Sequence, residues 1–407
     1  MNVFIFYRDL RLHDNTTLIE LCSKGNKVFP IFILERKEWP SKNQYQFLIE
    51  TLIHLNNMLM KRYHTKLYIF TKSQLNTFLR SHIKDIEYIG WNKTVMERAI
   101  FKSLQRKFKD KVIEKEDAFL CPPEDLHHPV FRKFTPFYRF CLEHCKVKKI
   151  NPFTKFKFTT HIKINTPQLS LQTLYTNIKN KNTHFYTQGG YKNALKQLHI
   201  GQKTLKHYGQ TRNTFHIPTS MLSSYLSLNV LSIRQVYFSM NRVSKDFIRE
   251  LYWRDFYMHV TRSLPKVINY GFNVPQLSEK KKKEWSKWKK GQTGKPIVDA
   301  CMTQLNTTGY MHNRGRMIVA SYLIKNMNIH FKYGEKYFEN TLIDHNLSSN
   351  NGGWQWVNGS GVDSQPKYQK FNMLIQNKKY DPDCVFIKEW LPYLQNMSTQ
   401  EIFNMYN

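Results

Sequence analysis

Short apolar runs alternate with helical spacing over roughly the first 120 residues of the chain. Runs of apolar residues predict strands at 3–7, 28–33, 67–70 and 86–90. Apolar residues spaced three and four apart predict helices at 17–22, 45–63 and 95–107. This alternation is typical of a parallel, Rossmann-like sheet with helices on both faces. We therefore predict an α/β domain whose turn at 8–15 lies where open sheets carry ligand-binding or structural loops.

The pattern changes twice further along the chain. From 126 to 202 the periodicity weakens, because Asn, Thr, Lys and Pro interrupt short apolar runs. From 203 to 407 the pattern is helical, and the clearest helices are predicted at 243–263, 296–306, 313–325 and 335–342. A chain of 407 residues is too long for one ordinary domain. We predict an α/β domain at 1–125, a connector at 126–202 and an all-α domain at 203–407.

The net charge of +32 indicates a polyanionic partner, because 62 Lys and Arg face only 30 Asp and Glu. Compositional drift would explain the preference for lysine, but it would not explain the scarcity of acidic residues. We therefore favour nucleic-acid binding. For the dense lysine run at 280–283, beside Trp285 and Trp288, we expect a solvated loop, with phosphate contact as the alternative.

Cysteine spacing and hydropathy argue against metal centres and membrane spans. Cys141 and Cys145 form the only close pair among six cysteines, so we predict no metal site and free, mostly buried thiols. No apolar run approaches the ~20 residues that span a bilayer. The first apolar run leads straight into charge at Arg8, unlike a signal peptide. We expect a soluble, intracellular protein without a membrane partner.

The segment Asn350-Asn351-Gly352-Gly353-Trp354-Gln355-Trp356 concentrates rare residues. Its glycines permit close backbone approach or positive φ, and its indoles offer flat faces to a flat ligand. Asp344 and Asn346, just upstream, add groups that can read the edge of a heterocycle. The sequence leaves two explanations open, a loop that packs two tryptophans into a core and a loop that binds a ligand.

Three further segments carry comparable chemistry. Glu250, Trp253, Arg254 and Tyr257 share one helix face, where a carboxylate and an indole suit a flat base. Asn313 and Met317 are four apart and can face one cavity, while Arg316 can pair with Asp344. The hydroxyl-rich segment at 219–225 opens a helix, as pyrophosphate sites do. Together they describe a cavity for a dinucleotide beside a second flat ligand.

In order and spacing, these segments resemble the DNA photolyase/cryptochrome family over nearly the whole chain. The residues that carry the resemblance are those at 8–15, 219–225, 250–255, 294–299, 311–317 and 350–356. The residues of these segments are most similar to those of class I cyclobutane pyrimidine dimer photolyases, and some segments are similar to those of DASH-type cryptochromes. The resemblance implies an α/β antenna domain followed by an all-α domain that binds FAD and the DNA lesion.

The resemblance also implies the residues that would hold FAD. The phosphates and ribitol would lie against Tyr208, Thr219, Ser220, Leu222 and Ser223. Arg316 and Asp344 would form a salt bridge over the isoalloxazine, and Asp344 would accept a hydrogen bond from the ring. Asn346 would lie near the flavin, where an aspartate is common. Asn350 would face flavin N5, and an amide there favours repair over signalling.

The implied substrate is a flipped-out pyrimidine dimer in UV-damaged DNA. Trp253 and Trp356 match the indoles that clasp the dimer, and Glu250 matches the acid that hydrogen-bonds it. Enzymes for (6-4) photoproducts carry histidines where this chain has Asn313 and Met317. We also assign DNA contacts to two arginines of the same segments, Arg254 and Arg314.

The implied activity is that of a monomeric deoxyribodipyrimidine photo-lyase, which repairs dimers by electron transfer from excited FADH⁻. The first alternative is a DASH-like cryptochrome or flavin photoreceptor that binds DNA without duplex repair. The second is a (6-4) photolyase. The residues at 313–316 and 370–373 are the same as those found in DASH-type cryptochromes.

The chain differs from the family at two kinds of site: the residues that would carry electrons to the flavin, and those that would contact an antenna chromophore. Trp354 occupies the flavin-proximal place of the usual tryptophan chain, but the middle place is Phe331 and no tryptophan stands near Ser278. Photoreduction would then be slow or would take another route; the candidate residues are Tyr310, Tyr333, Trp285 and Trp288. Glu97 resembles a pterin-contacting glutamate, yet its neighbour is Met96 where an asparagine is usual. An antenna chromophore, folate or deazaflavin, is left open.

Overall fold

A five-stranded parallel sheet forms the centre of the first part of the chain. The computed structural model describes residues 1–96, 98–126, 130–153, 155–160, 162, 164, 168–270, 273–366 and 369–406. The strands are β1 (Asn2–Phe6), β2 (Val28–Ile33), β3 (Tyr68–Phe70), β4 (Tyr88–Asn92) and β5 (Val112–Lys115), in the order β3-β2-β1-β4-β5. Every residue of β1 and β2 is buried, as expected for strands covered on both faces. The predicted α/β fold is confirmed.

Four helices cover this sheet. They are α1 (Thr16–Ser23), α2 (Lys42–Tyr63), α3 (Lys72–Ser81) and α4 (Ala99–Phe108). The sequence prediction missed α3, although Thr71 and Gln74 form a capping box at its start. It also missed β5, where only Val112 and Ile113 are apolar. Elements as short as these contain too few residues for a hydrophobic period to be recognised in the sequence.

The stretch at 126–202 is more ordered than the prediction of an irregular connector. It contains α5 (Phe134–His144) and α6 (Leu171–Thr176), and α7 (Tyr191–Thr204) begins within it. Helix α5 buries Phe134, Phe137 and Cys141, which lie on one helical face. Its aromatic residues are as common in strands as in helices, so composition hid the period.

The rest of the chain is helical, as predicted. Its helices are α8 (Tyr208–Thr211), α9 (Ser223–Ser227), α10 (Ile233–Met240), α11 (Lys245–Ser263), α12 (Glu279–Lys290), α13 (Pro296–Thr308), α14 (Asn313–Ser321), α15 (Phe331–Thr341), α16 (Leu347–Asn358), α17 (Met373–Tyr380), α18 (Val385–Trp390) and α19 (Thr399–Asn404). A π-helical turn, Tyr322–Asn326, continues α14. Among the described residues, none of these helices is both long and apolar enough to cross a membrane.

Two predicted loops are helices. The lysine run at 280–283 lies in α12, whose first turn is capped by the Ser278 hydroxyl. The segment at 350–356 lies in α16, which Asn346 caps by accepting from the Ser349 N–H. Gly352 is required inside this helix, because a Cβ there would run into the Tyr257 ring of α11. Gly352 therefore serves helix packing, where the sequence had indicated a loop, whereas a Cβ at Gly353 would meet no neighbouring atom.

Cys121 and Cys145 form a disulfide, so the prediction of free thiols is wrong for these two. Cys22, Cys141, Cys301 and Cys384 are free. The Cys141 sulfur completes a buried group of three sulfurs within 4.8 Å of one another. Spacing in sequence missed this group because Cys121 precedes α5 and reaches it only through the fold.

A buried ion network joins the α/β domain to the helical domain. Arg234 of α10 donates to Asp14 Oδ2 at 2.8 Å and to Asp117 Oδ1 at 2.9 Å. Arg11 also pairs with Asp117 and donates to the Asn229 carbonyl at 3.0 Å. Burial raises the pKa of Asp117, but Arg11 and Arg234 outweigh it and the net shift is downward. The Asp117 carboxylate thus stays ionised in the domain interface.

We predict that Arg234→Met lowers the free energy of unfolding by roughly 3–5 kcal/mol, because it leaves buried carboxylates underpaired. Urea denaturation followed by circular dichroism measures the loss. Arg242→Met is the matched control, since Arg242 is exposed, and it should change stability by less than about 0.5 kcal/mol. Equal stability of the two variants would contradict the role of the network.

A second prediction concerns His259 of α11, which is 6% exposed and shares a hydrogen bond with the Cys121 carbonyl at 3.0 Å. Burial lowers its pKa from 6.5 to about 4. Because the folded pKa lies below the unfolded value, the stability from neutral His259 is present above pH 6.5 and lost as pH falls towards 4. This loss amounts to roughly 2–3 kcal/mol.

His259→Gln should therefore flatten the fall in unfolding free energy between about pH 7 and about pH 4.5. Urea denaturation at both pH values measures the slope. His144→Gln, at an exposed position of α5, should keep the wild-type slope. An unchanged slope in His259→Gln would exclude this residue as the source.

Candidate functional site

The predicted pair of Arg316 and Asp344 is present in the structure. Arg316 of α14 donates from Nη2 to Asp344 Oδ2 at 2.8 Å and from Nε to the Met311 carbonyl at 2.9 Å. Burial lowers the pKa of Arg316, but Asp344 outweighs it and the net shift is upward. Arg316 therefore holds its charge beside the buried Asp344 carboxylate.

The second oxygen of Asp344 is an unpaired acceptor. The Asp344 side chain is 2% exposed, and its Oδ1 has no hydrogen-bond partner among the described residues. A buried acceptor without a donor costs about 1–3 kcal/mol. A ligand N–H, such as that of a flavin ring, would satisfy this oxygen.

Asn346 and Asn350 lie one turn apart at the start of α16. Asn346 caps the helix, which explains its position without a ligand. The Asn350 amide donates to the Glu335 carbonyl at 3.0 Å, and the neighbouring Asn351 donates to the Glu335 carboxylate at 2.7 Å. These bonds fix the orientation of the Asn350 amide against α15.

The hydroxyl-rich segment at 219–223 packs towards the Arg316 pair. The Thr219 hydroxyl lies 3.3 Å from the Tyr310 hydroxyl, and the Arg316 guanidinium lies 5.6 Å from the Tyr310 ring centroid. Met221 has φ of 51°, a left-handed conformation that a non-glycine residue adopts only under constraint. A cleft between these elements is lined by Met221, Ser223 and Tyr310. The sequence had named Tyr310 only as an electron carrier.

The other residues predicted to lie beside the FAD phosphates differ in the hydrogen-bonding groups that they can present to a ligand. Ser220 accepts the Leu222 N–H at 3.3 Å on its hydroxyl. Leu222 is 1% exposed, so its side chain belongs to the core. Tyr208, the first residue of α8, packs edge-to-face on Phe247 with centroids 5.5 Å apart, and burial raises its pKa. Tyr208 therefore stays a neutral hydroxyl donor.

Glu250 and Arg314 meet through two residues that the sequence prediction missed. Arg212 forms an ion pair with Glu250. Its neighbour Asn213 accepts from Arg314 Nε at 3.2 Å and from Nη2 at 2.8 Å. Burial raises the pKa of Glu250, although Arg212 opposes the shift. Because residues 212 and 213 lie in a segment without periodicity, no pattern in the sequence pointed to them.

Asn313 and Met317 lie one turn apart on α14, as predicted. Asn313 is exposed at the first position of the helix, and Met317 is half-buried. Between them, the Arg314 guanidinium lies 4.4 Å from the ring centroid of Tyr380 in α17. This arrangement places α17 beside the predicted lesion-facing residues.

Trp253 and Trp356 lie on α11 and α16, the two helices that meet where Gly352 faces Tyr257. Both indoles are half-buried. Phe134 of α5 stacks on Trp253 with centroids 3.7 Å apart and planes 8° apart. One face of Trp253 is therefore already covered by the connector, a contact the sequence did not indicate.

Arg254 lies between the α/β domain and the helical domain. Its side chain is 13% exposed and donates to the Ala118 carbonyl at 2.7 Å and to the Asn229 amide oxygen at 3.1 Å. These bonds account for its position without a ligand, and its assignment as a DNA contact stays a prediction. Glu97, the predicted antenna contact, lies outside the described residues.

Trp354 is 2% exposed and packs edge-to-face on Phe338 with centroids 5.1 Å apart. Gly334 of α15 lies against its ring, where a Cβ has no room. Trp354 thus sits in a tightly packed core beside α15.

Comparison with known proteins agrees with this geometry. Residues 2–157 match the family model "DNA photolyase", and residues 247–407 match "FAD binding domain of DNA photolyase". The chain is 30% identical to the deoxyribodipyrimidine photo-lyase of Buchnera aphidicola subsp. Baizongia pistaciae over an alignment of 448 positions. The alignment covers 99% of this chain and 91% of the relative.

Solved structures agree as well. The class III photolyase of Agrobacterium tumefaciens superposes with a TM-score of 0.89 at 28% identity, covering 99% of this chain and 88% of that one. A cryptochrome of Synechocystis superposes with a TM-score of 0.88 at 25% identity, covering 99% and 91%. The chain belongs to the DNA photolyase family.

Proposed function

We propose that this chain is a light-dependent lyase that splits cyclobutane pyrimidine dimers in DNA. The observation that carries the proposal is the ion pair of Arg316 with buried Asp344, whose Oδ1 has no hydrogen-bond donor among the described residues. Tyr310 lies between this oxygen and the hydroxyl segment at 219–223, since its hydroxyl contacts Thr219 and its ring lies near the Arg316 guanidinium. The oxygen and the segment therefore lie on two sides of one region. A flat ring with an N–H at one end and phosphates at the other fits such a site, and FAD has this chemistry.

The residues that would hold FAD divide between its two ends. Asp344 would accept from the ring through Oδ1 while Arg316 donates to its other carboxylate oxygen. Thr219, Ser220, Ser223 and Tyr208 would donate to the phosphates and ribitol, and Leu222 would contribute only its backbone. Asn350 would present its amide to the ring, held in place by Glu335. When bound and reduced, FAD supplies the electron that light drives into the dimer.

The lesion would bind between α11, α14 and α16. Flipping a damaged base pair out of the stack costs a few kcal/mol. Stacking on Trp356 and on the part of Trp253 that Phe134 leaves uncovered, worth roughly 1–3 kcal/mol per base, would offset that cost. Glu250 would hydrogen-bond the flipped bases, with Arg212 fixing its carboxyl group. Asn313 and Met317 would line the remaining wall.

Basic residues beside this site would hold the DNA backbone. Arg314 and the exposed lysines Lys378 and Lys379 lie around Tyr380 on α14 and α17. Phosphate contacts of this kind release counterions, so binding should weaken steeply with salt. We expect a monomer to suffice, because all named residues lie on one chain.

The second candidate is a DASH-like cryptochrome that binds DNA without duplex repair. The similarity to a solved cryptochrome favours it. A (6-4) photolyase remains the third, less favoured because Asn313 and Met317 stand where that class has histidines. An antenna chromophore stays a prediction.

We predict that Asp344→Asn weakens FAD binding roughly 10- to 100-fold, since a hydrogen bond to a charged group contributes about 1.5–3 kcal/mol. Fluorescence titration of apoprotein with FAD measures the change. Glu279→Gln removes a carboxylate that is 82% exposed and should leave the affinity unaltered. Wild-type affinity in Asp344→Asn would remove Asp344 from the site.

Repair is tested by illuminating the flavin-loaded protein, with its flavin chemically reduced, on single- and double-stranded DNA that contains dimers. We expect dimers to disappear, and Trp356→Ala to weaken lesion binding roughly 5- to 100-fold through lost stacking. Tyr393→Ala, at an aromatic residue 69% exposed on the surface, is the matched control. Loss of dimers from single strands alone would favour the cryptochrome reading, and loss of (6-4) products alone would favour the third.

A further inference from the structure

Acidic residues are absent from one long span of the sequence. All 30 Asp and Glu of the chain lie outside residues 144–245, whereas that span carries 16 Lys and Arg. A uniform drift in composition would reduce the number of acidic residues along the whole chain and would not empty a single span. The span is therefore a local concentration of positive charge, a feature typical of surfaces that bind polyanions.

Helix α7 (Tyr191–Thr204) presents part of this charge on one face. Its buried residues are Ala194, Leu198 and Gly201. Exposed basic side chains recur along the helix at intervals of four and three residues, which places them together on the opposite face. They are Lys192, Lys196, His199 and Lys203, and Lys206 continues the row just past the end of the helix. We call these five residues the α7 stripe.

The charges of the α7 stripe are not neutralised within the chain. Exposed lysines elsewhere have carboxylate partners, such as Lys282 with Glu279 and Lys336 with Glu339. The described salt bridges include no counterpart of these pairs in the stripe. Its ammonium groups are therefore available to an anion outside the protein.

Hydrogen bonds on the inner side of α7 hold the stripe in a fixed position. The Gln197 amide donates to the Ser220 carbonyl at 3.0 Å, and the Gln202 amide donates to the Ser239 carbonyl at 3.1 Å. At the start of the helix, the Tyr191 hydroxyl accepts from Gln235 at 3.1 Å. A helix held in this way loses little backbone freedom when its outer face binds a partner.

The α7 stripe is joined to the proposed lesion site through α8. The chain passes from Lys206 into α8, and the residue that follows α8 is Arg212, the ion-pair partner of Glu250. From Lys192 to Lys203 the helix extends about 16 Å, since each residue adds about 1.5 Å. Each strand of a duplex carries a phosphate about every 3.4 Å along the axis. The three lysines of the helix can therefore each meet a phosphate of one DNA segment.

We propose that the α7 stripe binds the phosphate backbone of duplex DNA beside the lesion, whether or not that DNA is damaged; this inference rests on the proposed function. Phosphate contacts position a duplex but carry no information about its bases. The stripe would thus hold DNA on the protein, while the residues of α11, α14 and α16 select the dimer. A lipid surface fits the stripe less well, because the apolar face of α7 is buried in the fold and cannot enter a headgroup layer.

Fluorescence anisotropy of an undamaged duplex with the flavin-loaded protein, over a range of salt concentrations, tests the proposal. We expect the combined variant Lys192→Gln, Lys196→Gln and Lys203→Gln to lower the slope of log affinity against log salt by roughly 2–3, because each phosphate contact contributes about 0.9. Lys196→Gln alone should lower it by about 1. The matched control, Lys72→Gln with Arg80→Gln and Lys84→Gln, removes the same charge from exposed positions in and beside α3 and should keep the wild-type slope.

A wild-type slope in the combined variant would overturn the proposal, as would a wild type that does not bind undamaged duplex at low salt. Binding to phosphatidylserine vesicles that the variant loses, while its DNA binding is kept, would assign the stripe to a membrane instead.

A second readout is the ratio of affinities for dimer-containing and undamaged duplex. The combined variant should keep the wild-type ratio, because the stripe contacts no base, whereas Trp356→Ala should lower it. A changed ratio in the combined variant would contradict lesion-independent binding. Failure of the wild type to repair dimers would overturn the proposed function, and the salt slope on undamaged DNA would still decide the role of the stripe.

Discussion

The buried contacts of Arg234 and Arg11 with Asp14 and Asp117 are the constraint on which the arrangement of the domains depends. Isolated charges are too costly to bury, so these four side chains are stable only when both domains are in place. Arg254 adds a neighbouring interdomain contact through the Ala118 carbonyl. Helix α11 carries Arg254, Glu250 and Trp253, so the contact that joins the domains also orients the helix that carries two of the proposed substrate residues.

Much of the fold could be predicted because long elements repeat their pattern several times. Helix α11 and strands β1 and β2 were evident from periodicity alone. Helix α16 was not, because Gly352 and Gly353 indicate a turn in sequence. Packing against Tyr257 explains Gly352, and nothing in the structure explains Gly353.

The candidate site was predictable where a residue type is tied to one chemistry and a known spacing. The pairing of Arg316 with Asp344 is such a case. The Arg212 contact to Glu250 and the Phe134 stack on Trp253 were not predictable, since each joins segments far apart in sequence.

The stack of Phe134 on Trp253 covers one face of an indole that the proposed lesion site uses. A base could then stack only on the part of Trp253 that Phe134 leaves uncovered, so α5 would limit the side from which a lesion approaches. A helix that precedes the helical domain would thus shape substrate entry in the proposed site without contributing a reactive group.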